Sequence, residues 1–391
     1  MPRQIVLALA AWIALFTPAV HAGESVLYSI TTSEAHARIP VVKTQVFKTE
    51  IFAADPDTGK QRLVFSDANA PFFLLPGGRL RGGIVAAGGR IFAEGIAPVR
   101  TAAGTPTFDP GAPAAFYELT TDGSGQARKV FDVERGEPGV HFSHLTFFNS
   151  SGSEFGNLNS IDGKFYLVVH DTATGKLLRK SEFKYGSVER RGWRFGSVAR
   201  IGWMPDDKRI FFTIELGGDS PDAWWTTPGS PVGTYVLDEN ADTAGRLAPE
   251  AALHPKIAGQ TPSNDSPAVF IGMLPDGGYL LQDYEGGPRG AGGACLYELD
   301  LARKTQKIFP LHVDGDPGSF HLSHSGDRLA LTATQRKLEK RPTFTAISNL
   351  GVWVVDLGSN KQRKLLSFPP HDEPRGTDGP WSNLIGWLDA K

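Results

Sequence analysis

The chain has 391 residues, a formal net charge of −2 and a single cysteine among 45 glycines and 28 prolines. So balanced a charge leaves no electrostatic footprint for nucleic acid or an anionic membrane surface, and one cysteine, Cys295, excludes an internal disulfide. Glycine and proline are spread along the whole chain, the pattern of a turn-rich β protein and not of a disordered one.

The first segment reads as a signal peptide. Arg3 supplies a positive start, residues 5–16 (IVLALAAWIALF) form an apolar run, and Val20-His21-Ala22 presents small residues at the cleavage positions. The run is too short to span a bilayer, and no later stretch approaches the roughly 20 apolar residues of a membrane helix. The expectation is removal of residues 1–22 and a single domain over 23–391, periplasmic or secreted, with no transmembrane segment after cleavage.

From there the chain repeats itself. An apolar strand, a polar turn rich in Asp, Thr and Gly, and a second strand bearing Lys or Arg recur as IFAADPDTGKQRLVFS from Ile51, FYELTTDGSGQARKVFD from Phe116 and FYLVVHDTATGKLLRKSEF from Phe165. Three more copies follow: TYVLDENADTAGRLAPE from Thr234, CLYELDLARKTQKIFPL from Cys295 and VWVVDLGSNKQRKLLSF from Val352. Their intervals, roughly 50–70 residues, fit a propeller-blade period lengthened by insertions. Upstream of the later copies lies a strand ending in a tight turn: IGWMPDD from Ile201, IGMLPDG from Ile271 and FHLSHSGD from Phe320, each followed by a short β-rich run. A blade therefore reads as strands a, b, c and d, with tight a–b and c–d turns and longer b–c and d–a connections. A last strand-a start, Ile385-Gly386-Trp387-Leu388-Asp389, has no blade after it, whereas the first copy has outer strands and no strand a before it. Joining the two gives an all-β, six-bladed β-propeller of four-stranded blades, closed by N- and C-terminal strands sharing one blade.

The IGWMPD and SHSGDRLAL segments, with their Asp-x-x-Thr-Gly-Lys hairpins, resemble the WD-like blades of the TolB-type propeller family over most of the chain. The resemblance implies the propeller fold. It does not carry over that family's binding to a lipoprotein partner, because the α/β domain preceding its propeller has no room in residues 23–46. Propellers of prolyl oligopeptidases precede a hydrolase domain, and neither that domain nor a Gly-x-Ser-x-Gly nucleophile elbow is present in this sequence.

Blade order assigns the connections to faces. The tight turns share one face. The long segments 101–113, 217–233, 285–293 and 335–349 (b–c) and 66–82, 184–195, 254–266 and 369–380 (d–a) share the other. Binding residues concentrate on loops held by a rigid scaffold, so the long-loop face is the expected binding face. Trp224 and Trp225 there offer rings that stack on a sugar or anchor a peptide; the competing reading folds them back as a lid. Arg190, Arg191 and Arg194, interleaved with Trp193, form the densest basic cluster, suited to a carboxylate or phosphate, and Arg289 in segment 285–293 is a further ligand-binding candidate. Asp372 and Glu373 are their acidic counterparts, and ion pairing between blades is the plainer role for both sets.

The histidines His141 and His144, and His321 and His324, look like twin metal half-sites. Residues three apart on a strand point to opposite faces, so neither pair chelates one ion. A divalent metal held at the channel axis by His141 and His321 from opposite blades is the minor alternative, and zinc or manganese there would need further ligands; satisfied core histidines are the favoured reading. No cofactor is predicted. Asp55, Asp57, Asp162, Asp171, Asp206, Asp207, Asp276 and Asp327 fall in turns and are assigned to turn chemistry, and Cys295 to packing. The expected function is a binding or interaction scaffold in the cell envelope or medium, acting on a protein, peptide or glycan through its long-loop face. The alternative is a propeller enzyme, a lyase or hydrolase acting on a polysaccharide or small polar substrate at the channel mouth.

Overall fold

The computed structural model describes residues 23–34, 46–67, 73–74, 83–96, 99–100, 106–107, 114–133, 146–161, 164–182, 198–214, 233–238, 241, 244–253, 268–284, 294–339, 345–368, 371–373 and 381–389. Six antiparallel sheets hold nearly all of them. Blade 1 runs, from strand a to strand d, Trp381–Leu388, Ser25–Glu34, Val46–Ala54 and Gln61–Ser66. Blade 2 is Ile84–Ala87, Arg90–Ile96, Ala114–Leu119 and Ala127–Val133; blade 3 is Phe147–Phe148, Glu154–Ile161, Lys164–Asp171 and Leu177–Glu182. Blade 4 is Val198–Trp203, Ile210–Ile214, Gly233–Leu237 and Gly245–Arg246; blade 5 is Val269–Met273, Tyr279–Tyr284, Ala294–Asp300 and Thr305–Phe309. Blade 6 is Asp316–Leu322, Arg328–Glu339, Thr345–Asp356 and Gln362–Ser367. The six a strands touch in a closed cycle, blade 1 to 2 and on to 6 and back to 1, which makes the molecule a six-bladed β-propeller. Among the described residues one helical turn, Glu250–Leu253, lies between blades 4 and 5. Among the described residues no helix is long and apolar enough to cross a membrane.

Closure follows the repeat. Strand a of blade 1 comes from the C-terminal segment and pairs antiparallel with Ser25–Glu34, in a register that runs from Ser25↔Leu388 to Thr31↔Trp381. Strand b of blade 1 thereby gains a partner on its inner side, and both described end segments are tied into one sheet.

The hydrophobic core lies between blades, because alternate side chains of a strand go to opposite faces of its sheet. In strand b of blade 6, Leu329, Leu331 and Ala333 join Leu280, Leu296 and Phe309 of blade 5, while Ala330 joins Val26, Tyr28 and Trp387 of blade 1. Leu27 of blade 1 turns the other way, onto Ile91 and Ala93 of blade 2. Between blades 2 and 3 the filling is aromatic: Phe92 stacks on Phe148 at 4.8 Å and Phe116 on Phe131 at 4.8 Å and Phe155 at 5.2 Å. Such pairs add about 0.5–1.5 kcal/mol each beyond area burial. Cys295 is buried in the blade 5 core.

The aspartates of the tight turns act on the backbone. Asp55 Oδ1 accepts the N–H groups of Asp57 and Thr58 at 2.8 and 2.7 Å, Asp171 that of Thr174 at 2.8 Å, and Asp206 those of Lys208 and Arg209, each at 3.0 Å. These bonds hold the Asp55 and Asp206 carboxyls below the ordinary carboxylate pKa. Asp207 adds a bond between blades, accepting the Ser150 N–H at 2.9 Å. Asp162 lies outside the described residues.

Four long connections carry strand where the sequence reads as loop, one of them through Pro106–Thr107 of segment 101–113, paired with Val99–Arg100. Segment 335–349 is largely continued strand, since strands b and c of blade 6 stay paired out to Glu339↔Thr345. A short strand from the following connection, His371–Glu373, pairs with Ala346–Ser348 of that extension. Blade 6 therefore carries a three-stranded flap beyond the ring. Phe73–Leu74 of segment 66–82 likewise pairs with strand b of blade 2.

Candidate functional site in the central channel

The channel is lined by the a strands, and four of them are bulged. Ala199 in blade 4, Ile271 in blade 5, Ser319 and Phe320 in blade 6 and Ile385 in blade 1 interrupt the pairing with strand b. A bulge re-aims the neighbouring side chain and frees backbone groups from the ladder. Both effects meet at Arg200. It follows the blade 4 bulge, and its Nη1 donates at 2.9 Å to the carbonyl of Phe320, at the blade 6 bulge. Blades 4 and 6 are not neighbours, so this side chain passes the inner edge of blade 5 and lies across the channel.

Arg200 keeps some accessible surface, yet protein surrounds it, and burial lowers its pKa to about 10. The guanidinium stays charged at neutral pH. Among the described residues its hydrogen-bond partner is that one carbonyl, and no carboxylate pairs with it. Most of its N–H donors are thus left for something else. His321 stands beside it. Burial, and secondarily the Arg200 charge, push the imidazole pKa down to about 3, so it is neutral across the physiological range. Its backbone carbonyl accepts the Trp387 Nε1–H at 2.8 Å, and a Cβ on Gly386 would sit 3.4 Å from its Nδ1.

A polar belt surrounds this position. The fourth or fifth residue of every b strand is a buried polar group: Ser29, Glu94, Asn157, Thr213, Gln282 with Asp283, and Thr332. The buried residues nearer the tight turns on the same strands are apolar, among them Leu27, Ile91, Phe155, Phe211, Leu280 and Leu329. Arg200 pairs in register with Thr213 and therefore sits at the belt's level. Strand b runs from the tight turn toward the long connections, so the belt lies partway along the b strands, away from their tight-turn ends. The hydroxyls are used within the fold: Thr213 meets Thr234 at 2.9 Å, Thr31 meets Thr49 at 3.1 Å, and Thr332 donates to the Gly318 carbonyl at 2.9 Å. Pairing of this kind is what lets a fold keep polar groups buried.

Of the residues singled out in the sequence, Arg190, Arg191, Trp193, Arg194, Trp224, Trp225, Arg289 and His141 lie outside the described residues. Asp372 and Glu373 have their backbone on the short strand of the blade 6 flap, opposite Ile347 and Ala346. His321 is in the channel, while His324 is in the a–b turn of blade 6 with its Nδ1 2.7 Å from Asp389 Oδ1. The residue that sequence reasoning missed is Arg200, and the repeat itself marks it. At the position before Ile-Gly-Trp or Ile-Gly-Met, blade 5 has Phe270, blade 1 has Leu384 and blade 4 has an arginine.

Lowering the pH tests the channel chemistry. The His321 pKa is depressed in the native state relative to the ordinary value of about 6.5. Below that value the unfolded chain takes up a proton that the native chain refuses, so native stability falls between about pH 6.5 and 3. Each pH unit costs at most about 1.4 kcal/mol from this group. His321→Asn is expected to flatten that part of a stability-versus-pH curve measured by urea unfolding. An unchanged slope would remove the histidine from the account.

No family model matches the chain, and no curated protein does. Among solved structures it is similar to TolB from Acinetobacter baumannii, with 15% identity and a TM-score of 0.46, covering 98% of this chain and 71% of that one. It is also similar to a protein from Lactobacillus plantarum, with 10% identity and a TM-score of 0.41 over 94% and 100% of the two chains. The Dos1 propeller gives 12% identity and a TM-score of 0.38 over 90% and 86%. These likenesses concern the fold, and the blade assignment rests on the strand order above.

Proposed function

We propose that this chain is an exported binding propeller that receives an anionic group of its ligand, a carboxylate or a phosphate, at the long-loop mouth of the channel. Arg200 carries the reading. A guanidinium surrounded by protein, without a described counter-charge, is costly to the fold, and a ligand anion would offset that cost with paired, charge-assisted hydrogen bonds. The neutral His321 beside it adds no competing charge and offers a polar ring atom. The belt of buried polar groups at the same level supports a polar ligand over a lipid-like one. The ligand is a peptide or glycan from the cell envelope or medium, reached after removal of residues 1–22. We favour binding over turnover on the fixed charge of Arg200 beside a neutral imidazole in the described channel.

Glycan and peptide arrays printed as matched pairs, each acid-bearing probe beside its amide or neutral counterpart, test this directly. The acid-bearing member of a pair is expected to be retained and its neutral partner not. An array that stays blank, or binds both members alike, overturns the proposal.

A further inference from the structure

On the opposite, tight-turn face, three metal-ligating side chains meet where the ring closes. Glu24 immediately precedes strand b of blade 1, Asp389 immediately follows its strand a, and His324 sits in the a–b turn of blade 6. One ligand atom from each lies within 4.8 Å of the others. His324 Nδ1 is 2.7 Å from Asp389 Oδ1 and 3.5 Å from Glu24 Oε1. We infer that Glu24, His324 and Asp389 form a divalent-cation site that clasps the N- and C-terminal segments of blade 1 to blade 6.

The positions are prepared. Glu24 is nearly covered, its side chain 11% exposed, and both its oxygens are fixed: Oε1 accepts the His324 backbone N–H at 2.8 Å and Oε2 the Ser325 hydroxyl at 2.9 Å. His324 and Asp389 are 40% and 43% exposed, which leaves an approach from solvent. Acceptors outnumber donors. The Ser325 hydroxyl is 2.9 Å from Glu24 Oε2 and 2.5 Å from Asp327 Oδ1, yet it has one proton to give. Among the described residues the cationic partner available to Glu24 and Asp389 is His324 alone, and only when it is protonated. Two carboxylates and one imidazole match a dication in charge, and the mixed nitrogen and oxygen set suits zinc or manganese, with water completing the shell. A bound cation would take the place of the direct contact between His324 Nδ1 and Asp389 Oδ1.

The three residues are brought together only by ring closure, because 300 positions separate Glu24 from His324 in the chain. A cation bound to them therefore stabilises the closed propeller and not the unfolded chain. The inference does not depend on the channel reading, and the two sites lie on opposite faces.

The test is thermal unfolding of chelator-stripped protein in Zn²⁺ or Mn²⁺. Metal at about a hundredfold excess over Kd is expected to raise Tm by about 3–6 °C. Asp389→Asn and His324→Asn are expected to abolish the rise, and Arg200→Met to keep it. Absence of any rise in the unsubstituted protein, or its persistence in both clasp variants, overturns the site. If the clasp variants fail to fold, calorimetric titration of the unsubstituted protein decides. One equivalent of Zn²⁺ or Mn²⁺ bound supports the clasp; no binding refutes it.

Discussion

Deleting residues 381–389 is expected to abolish cooperative unfolding of the whole propeller, and not merely to loosen one blade. Four side chains of that strand, Leu384, Ile385, Trp387 and Leu388, are at most 7% exposed. They are shared between two inter-blade cores: Ile385 and Leu388 face blade 2, and Leu384 and Trp387 face blade 6. Burial contributes about 1.5–3 kcal/mol for each such side chain, so the strand carries a sum comparable to the net stability of about 5–15 kcal/mol typical of a folded domain. Its loss also bares strand b of blade 1 along seven paired residues and removes the indole bond from Trp387 to His321. Urea or thermal unfolding followed by circular dichroism should show no sharp transition. The milder Trp387→Ala should retain one, shifted by about 3–5 kcal/mol. A truncated chain that melts like the intact one would refute closure by shared strands.

Gly88→Ala is expected to cost about 3–5 kcal/mol, although it adds a single methyl group at the surface end of blade 2. Gly88 has φ +56°, where an L side chain is strained by roughly 1–2 kcal/mol. That term is the smaller one. A Cβ there would stand 2.1 Å from the Ser151 carbonyl oxygen and 2.5 Å from its carbon, both backbone atoms of the blade 3 turn. The facing turn answers in kind, since a Cβ on Gly152 would stand 2.8 Å from the Ala87 carbonyl oxygen. Neither backbone can swing aside without shifting its blade. Gly59 supplies the control: its φ is +74°, but the nearest atom to an added Cβ is 3.8 Å away. Gly59→Ala should show only the conformational cost of about 1–2 kcal/mol. Equal losses in the two variants would mean that the interlock between blades 2 and 3 contributes nothing.

Much of the fold is legible in the sequence because the blade is a repeat and its strongest signals are local. The c–d hairpins announce themselves through turn aspartates such as Asp55 and Asp171, whose carboxylates cap the backbone two and three residues on. The closure is legible for the same reason, since Ile385-Gly386-Trp387 repeats Ile201-Gly202-Trp203. The flap of blade 6 is not. Its strands pass through Arg336, Lys337 and Glu339, a charged stretch that reads as loop, and only pairing across to Thr345–Asp356 makes it sheet. The site is hidden more deeply. Arg200 is one residue in an otherwise apolar strand, its reach across the channel depends on two bulges in different blades, and the carbonyl it meets lies 120 positions away. The clasp is hidden likewise, as Glu24, His324 and Asp389 share no local motif. Loop length singles out one face of the ring in the sequence, and the proposed ligand approaches from that face.

The most direct test of the channel reading is an equilibrium titration of the acid-bearing probe selected on the arrays, into the unsubstituted protein and into Arg200→Met, with a thermal melt of each. Replacing a buried charge by an apolar side chain of similar length is commonly neutral or stabilising. The Arg200→Met protein is therefore expected to melt at or above the parent temperature while binding the probe at least tenfold more weakly, a change of about 1.4 kcal/mol. Equal affinity in the two proteins, with both folded, would contradict it.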